Sequence, residues 1–175
     1  MVAISQLLAA IPNVTFVSPN ILQSHDQTLL KRATFDDTCT SDQKATIGLA
    51  ASNCRTLAQH GADAARNDQE KVLLYFKTSN PRSIQTIVQT FDKVYDECNV
   101  SGGENTITCY DDWNACSERT LAHTIRHKKK ITICPLFFTL PEIASYYGER
   151  SQANVMLHEV THLRSGKKLY STFGV

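Results

Sequence analysis

This sequence lacks the features that would direct it to a membrane or to nucleic acid. Its 175 residues include no apolar run of about 18 residues, the length of a bilayer-spanning helix. The formal net charge is only +1, so we expect neither nucleic acid nor a membrane surface as a partner. Repeats, low-complexity tracts and inter-domain linkers are also missing. We therefore expect a single monomeric domain, which 175 residues can provide with a full hydrophobic core.

The six cysteines lack the C-x-x-C spacing that is typical of cysteine zinc sites and redox motifs. They are even in number and widely spaced, which favours disulfide bonds and an oxidising compartment. Two N-glycosylation sequons, at Asn13 and Asn99, agree with this compartment. We therefore expect a secreted, extracellular protein. The cysteines are Cys39, Cys54, Cys98, Cys109, Cys116 and Cys134.

The N-terminal part of the chain has features of a segment that is removed during secretion. Residues 3–11 are apolar like the middle of a signal peptide, although no cationic leader precedes them. Lys31-Arg32 is a dibasic pair in a polar stretch shortly before the first cysteine, and it is a candidate processing site. We therefore expect residues 1–32 to be a pro-segment, or a remnant of a signal or pro-region, and residues 33–175 to be the functional domain.

The pattern H-E-x-x-H occurs once, as His158-Glu159-Val160-Thr161-His162 within an apolar stretch. Residues four apart lie on one face of a helix, so His158 and His162 can direct two imidazole nitrogens at one point. This spacing suits a Zn²⁺ ion that takes a third ligand and water in its other positions. Glu159 lies beside that point, where a carboxylate can accept a proton from metal-bound water. The pattern predicts a catalytic site with one zinc ion per chain.

The order of helical and strand patterns predicts an α+β fold, with helices first, then a small antiparallel sheet, then the H-E-x-x-H helix. Cys54 and Cys98 fall on the apolar faces of two helices and could join them, although six cysteines allow other pairings. The basic run at 126–130 is interpreted as a solvated turn between two strands. We predict helices at 40–66, 68–78, 80–98 and 151–164, and strands at 106–110, 119–126 and 130–138.

Short stretches in order along the chain match the pattern of one known family. They are Lys31-Arg32, Cys39-Thr40-Ser41, Tyr75-Phe76-Lys77-Thr78, Tyr110-Asp111-Asp112, Ile133-Cys134-Pro135-Leu136-Phe137-Phe138, and Gln152-Ala153 leading into Leu157-His158-Glu159-Val160-Thr161-His162. With these stretches the chain resembles the deuterolysins, also called neutral protease 2, and the peptidyl-Lys metalloendopeptidases. Both belong to the aspzincin group of secreted fungal zinc endopeptidases. The resemblance covers about residues 31–174, and ordered matches of this kind are far more specific than H-E-x-x-H alone.

The resemblance implies a mostly helical, zincin-like domain that is made as a zymogen. It implies that His158 and His162 are zinc ligands and that Glu159 is the general base. The chain would then cleave peptide bonds of protein or peptide substrates through a metal-bound water. Carried over by position, the resemblance also implies disulfides Cys39–Cys109 and Cys116–Cys134, which leaves Cys54–Cys98 as the third.

The sequence departs from the family pattern after its second histidine. The family takes its third zinc ligand from the Asp of G-T-x-D-x-x-Y-G, but here Tyr170 stands at the Asp position and Phe173 at the Tyr position. No Asp, Glu, His or Cys follows His162, so Tyr170, as a phenolate, is a possible substitute ligand. Tyr147 likewise replaces a family cysteine before the metal helix. We therefore expect a domain that is incomplete at its C-terminus.

Two functional hypotheses follow from this departure. The first is a secreted zinc metalloendopeptidase that acts through metal-bound water and Glu159. The alternative is a catalytically impaired or truncated member of the family that acts as a secreted, non-enzymatic scaffold or binding protein.

Overall fold

The computed structural model describes residues 34–98, 105–146 and 148–164. These ranges contain four α-helices and one four-stranded sheet, and none of the helices is long and apolar enough to cross a bilayer. The expected α+β class with mostly helical content is therefore confirmed. The helices are α1 (Ser41–Asn67), α2 (Gln69–Phe76), α3 (Pro81–Cys98) and α4 (Gln152–Arg164). The strands are β1 (Thr34–Phe35), β2 (Thr106–Thr108), β3 (Ala122–Ile125) and β4 (Lys130–Ile133).

The helices begin where the sequence supplies capping residues. Thr40 caps α1, because its hydroxyl accepts a hydrogen bond from the Gln43 amide while the Gln43 side chain accepts from the Thr40 amide. Asn80 caps α3 by accepting a hydrogen bond from the Arg82 amide at 2.9 Å, and Pro81 occupies the first turn. The four predicted helices are confirmed, with ends that agree within about two residues.

Helices α1 and α3 form an antiparallel pair that makes up much of the core. The face of α1 at the contact is made of small residues, which lets the bulky side chains of α3 approach closely. Gly61 lies against the ring of Phe91, and seven residues away on each helix Cys54 is bonded to Cys98. The disulfide that helical periodicity suggested is therefore present.

The sheet is mixed, which corrects the expected antiparallel sheet. Its strand order is β1-β2-β4-β3, and only the β3–β4 pair is antiparallel. A tight turn at 126–129 joins those two strands, so they must run in opposite directions. Three helices separate β1 from β2, and this long connection lets β2 enter the sheet parallel to β1.

The strand predicted at 130–138 ends at Ile133, so its second half was predicted wrongly. Residues Pro135–Thr139 form a 3₁₀ helix instead, with Phe137 completely buried. Proline has no amide hydrogen for a strand ladder but suits the first turn of a helix, which explains the change at this position. The apolar residues that looked like a continuing strand are therefore core residues of a different element.

Three disulfides join the described elements, in the pairing that the resemblance implied. Cys39–Cys109 ties the start of α1 to the end of β2, and Cys116–Cys134 ties the loop after β2 to the end of β4. Several sequence predictions fall outside the described residues and stay predictions. They concern the processing pair Lys31 and Arg32, the sequons at Asn13 and Asn99, and the family positions Tyr147, Tyr170 and Phe173.

Candidate active site

Helix α4 carries the H-E-x-x-H pattern and is held by packing on several sides. Met156, Leu157 and Val160 are buried in the core, and α4 contacts α1, α3 and β3. The opposite side of the helix carries His158 and His162, which are only partly buried. This division gives a packed helix that presents two imidazoles on its less buried side.

The two histidines converge on one point. The Nε2 atoms of His158 and His162 are 3.1 Å apart, and the two rings meet edge to face. Burial, together with the neighbouring His162, lowers the pKa of His158 to about 4. Burial and the charge of Arg126 lower the pKa of His162. Both rings are therefore neutral at pH 7, which is the form that binds a metal ion.

This geometry fits a zinc ion. Two Zn–N bonds of about 2.0–2.1 Å at a tetrahedral angle place their nitrogens about 3.3 Å apart, close to the observed separation. The donor set of two neutral imidazoles is also one that zinc accepts. His158 and His162 therefore fit the zinc ion that the pattern predicted, as two of its ligands.

Glu159 is buried next to the histidines, and its carboxylate has a hydrogen-bond partner. The residue is only 6% exposed. Its Oε2 accepts a hydrogen bond of 2.7 Å from the Thr124 hydroxyl on β3. Burial raises the pKa of Glu159, and the hydrogen bond from Thr124 partly opposes that rise. Thr124 also lies 3.0 Å from the Glu159 backbone carbonyl, to which its hydroxyl can donate when Glu159 is protonated. Thr124 therefore has a hydrogen-bond acceptor in both protonation states of Glu159.

Replacing Thr124 with valine is expected to move the acid limb of the activity profile to higher pH. The substitution keeps the shape of the side chain but removes the hydrogen bond that lowers the pKa of Glu159. A base with a higher pKa is protonated, and therefore inactive, over a wider acidic range. The measurement is kcat/KM against pH for hydrolysis of a peptide, the activity that the resemblance implies. Thr124→Ser, which keeps the hydroxyl, should retain the wild-type limb, whereas equal limbs in all three proteins would contradict this role.

Arg126 supports the site from the turn after β3. Its Nε donates a hydrogen bond of 3.0 Å to the backbone carbonyl of His162, near the C-terminal end of α4. A cation there stabilises the negative end of the helix dipole. The predicted turn at 126–130 is present, but its first residue, Arg126, packs against α4 instead of being wholly solvated. Lys130, at the other end of the run, pairs with Asp112 at 2.6 Å.

A cleft of about 460 Å³ opens beside these residues. Two of the three predicted site residues line it, and His158 contacts one of them, His162. The sequence did not predict that residues of β3 and of the turn after it line the cleft. The available signal was an alternating strand pattern next to a basic run. The lining residues are Ala122, His123, Thr124, Arg126, Glu159 and His162.

No third protein ligand joins the two histidines in the part of the chain that the structure describes. The group of His, Cys, Asp or Glu donors found there that could hold a metal consists of Cys116, His123 and Cys134, and it includes neither His158 nor His162. The suggested substitute, Tyr170, lies outside the described residues. Among the described residues the site therefore offers two imidazoles and one carboxylate.

This chain is similar to known proteins of one kind. A family model described as lysine-specific metallo-endopeptidase, aspzincin M35, matches residues 61–170. A neutral protease 2 homolog of Pyricularia oryzae is 36% identical over 148 residues, which cover 83% of this chain and 43% of that protein. A homolog from Phaeosphaeria nodorum is 36% identical over 135 residues, 77% of this chain and 38% of that protein.

A third relative extends this comparison. Neutral protease 2 of Aspergillus oryzae is 33% identical over 136 residues, which cover 76% of this chain and 39% of that protein. This chain thus spans less than half the length of each of these relatives.

Proposed function

Because this chain belongs to the aspzincin family of metallo-endopeptidases, we propose that it is a zinc-dependent endopeptidase. The observation that carries the proposal is the convergence of two neutral imidazoles on α4, with their Nε2 atoms 3.1 Å apart, where His162 and Glu159 line one cleft. The relatives described above are all named as proteases, which favours this function over a non-enzymatic scaffold.

Different residues of the site have different roles in the proposed hydrolysis. His158 and His162 would hold the zinc ion, which when bound polarises the peptide carbonyl and makes the attacking water more acidic. Glu159 accepts the proton of that water and later delivers it to the leaving amine. Thr124 holds one oxygen of this carboxylate in place, so the other oxygen remains to accept the proton.

The substrate is a peptide in extended conformation. Among the described strands, β3 is an edge of the sheet, and its residues Ala122, His123 and Thr124 line the cleft. An edge strand presents unpaired backbone groups with which a peptide can pair as an added strand. A peptide bound in this way runs past Glu159, which receives a hydrogen bond from the same strand.

We also propose that the protein acts outside the cell, as a monomer, on protein or peptide substrates. Three disulfides among the described residues support an oxidising compartment. Zinc is the proposed cofactor, with one ion per chain. Maturation by cleavage after Arg32 belongs to the same proposal, since residues 1–32 precede the part of the chain that the structure describes.

Removal of the metal is expected to abolish hydrolysis, and this experiment tests the proposal. Purified chain should contain about one zinc per molecule, and His162→Gln should contain less than about 0.2, because one imidazole cannot retain the ion during dialysis. Casein cleavage should stop on adding a chelator and return with Zn²⁺. Zinc content by plasma mass spectrometry and cleavage by release of soluble peptides are the two measurements.

The matched control is His60→Gln, which replaces a histidine of α1 that lies outside the cleft. It should keep wild-type zinc content and activity. Cleavage that persists without zinc, or a wild-type chain that retains no zinc, would overturn the assignment.

A further inference from the structure

A second cluster of metal-binding side chains lies beside β3, apart from the H-E-x-x-H pair. Cys116 and Cys134 are joined by a disulfide, and the donor atoms of these two residues and His123 all lie within 4.8 Å of one another. Side chains alternate between the two faces of a strand, so His123 points away from the face that carries Thr124 and Glu159. The cluster shares no residue with the proposed catalytic set, although His123 also lines the cleft.

His123 has no hydrogen-bond partner among the described residues. Neither of its ring nitrogens is solvent-accessible, and neither forms a hydrogen bond. Its Nε2 is 4.0 Å from Oδ1 of Asp111, which is beyond hydrogen-bond distance. The His123 side chain is partly exposed, but a ring with both nitrogens buried and unpartnered is unfavourable and calls for an explanation.

Asp111 lies next to this cluster and is held in place by backbone amides. Its Oδ2 accepts a hydrogen bond of 2.7 Å from the Cys116 amide, and its Oδ1 accepts one of 3.2 Å from the Trp113 amide. These backbone contacts, that of Cys116 above all, keep the pKa of Asp111 below its usual value. The carboxylate is therefore ionised and already oriented near His123.

We propose that Cys116, Cys134 and His123, with Asp111 as fourth ligand, form a second zinc site that is available only when the Cys116–Cys134 disulfide is reduced. In the oxidised chain the two sulfurs carry no thiolate charge and are poor ligands. Reduction turns them into the thiolate ligands that zinc prefers, next to an imidazole and a carboxylate. The sulfurs must separate on reduction; Cys116 lies in a loop, whereas Cys134 directly follows β4.

Reduction of the disulfide requires two electrons and two protons. A trialkylphosphine and water supply two electrons and two protons, the S–S bond breaks, two thiols form, and the phosphine becomes its oxide. Zinc binding then releases both thiol protons. Two thiolates and one carboxylate against one dication leave a net charge of −1 in the site. The same two segments, the loop after β2 and the end of β4, are thus cross-linked by either a disulfide or a metal ion.

Cobalt(II) titration of the phosphine-reduced full chain tests the proposal, because thiolate ligands give a charge-transfer band that nitrogen and oxygen ligands do not. This band distinguishes the site from His158 and His162. Cys116→Ser and His123→Gln should each weaken cobalt binding at least about tenfold. Cys109→Ser, which removes one cysteine of another disulfide, should bind like the wild type. The unreduced wild type should show no thiolate band.

A second arm avoids the reductant, in case full reduction unfolds the chain. Cys116→His frees the thiol of Cys134 while the other two disulfides stay closed, and it supplies an imidazole in place of the lost sulfur. This variant should bind one cobalt with a thiolate band, and adding His123→Gln should remove the band. No band in the second arm, or a band that His123→Gln leaves unchanged in either arm, would overturn the proposal.

Discussion

Replacing Glu159 with glutamine is expected to lower kcat/KM for peptide hydrolysis by about 10²–10⁴-fold, the range that a positioned general base contributes. Glutamine has nearly the same shape, and its side-chain oxygen can still accept the hydrogen bond from Thr124. The substitution therefore removes the proton acceptor while it leaves the fold and the two imidazoles in place. Initial rates on a casein or basic-protein digest at pH 7 provide the measurement.

Two controls separate loss of the base from loss of the site. Glu70→Gln removes an exposed carboxylate from α2, which contributes no residue to the lining of the cleft, and should keep wild-type activity. Zinc content of Glu159→Gln should match that of the wild type, since Glu159 is not one of the two ligands. Equal background rates in wild type and Glu159→Gln would remove the catalytic proposal, whatever the metal content.

The parts of this site that depend on one helix were predictable from the sequence. Spacing alone placed His158 and His162 on one helical face with Glu159 beside them, because a helix has a fixed period. The same period placed Cys54 and Cys98 on facing helices, and the structure contains that disulfide. Local rules of this kind need no knowledge of how distant segments pack.

The parts that depend on packing between elements were not predictable in this way. The contact of Thr124 with Glu159 spans 35 positions, and the contact of Arg126 with His162 spans 36. Both arise because β3 lies against α4, and no pattern within either element specifies that neighbour. The direction of β1 and β2 is a further case, since a strand pattern is the same for parallel and antiparallel pairing. Pro135 was a signal for the early end of β4. The prediction gave more weight to the strand propensity of the residues around it.

Replacing Phe91 with alanine is expected to destabilise the domain by about 3–5 kcal/mol. The ring is only 1% exposed and fills the space between α3 and α1, where α1 presents Gly61. Removing it leaves a cavity that rigid, disulfide-linked helices cannot close. For a chain of this length each kcal/mol lowers Tm by about 2–4 °C, so thermal unfolding should occur about 6–20 °C earlier.

The cause of this dependence can be isolated with Gly61. A Cβ added at Gly61 would lie 2.5 Å from Cε1 of Phe91, too close for any real contact. Gly61→Ala should therefore destabilise by about 1–3 kcal/mol through overpacking, although alanine is the better helix former by about 1 kcal/mol. In a Phe91→Leu background the shorter side chain leaves room for the methyl group, so Gly61→Ala should there be neutral or stabilising. Strictly additive effects in this double-mutant cycle would mean that the two residues do not contact each other, since coupling is expected only between neighbours.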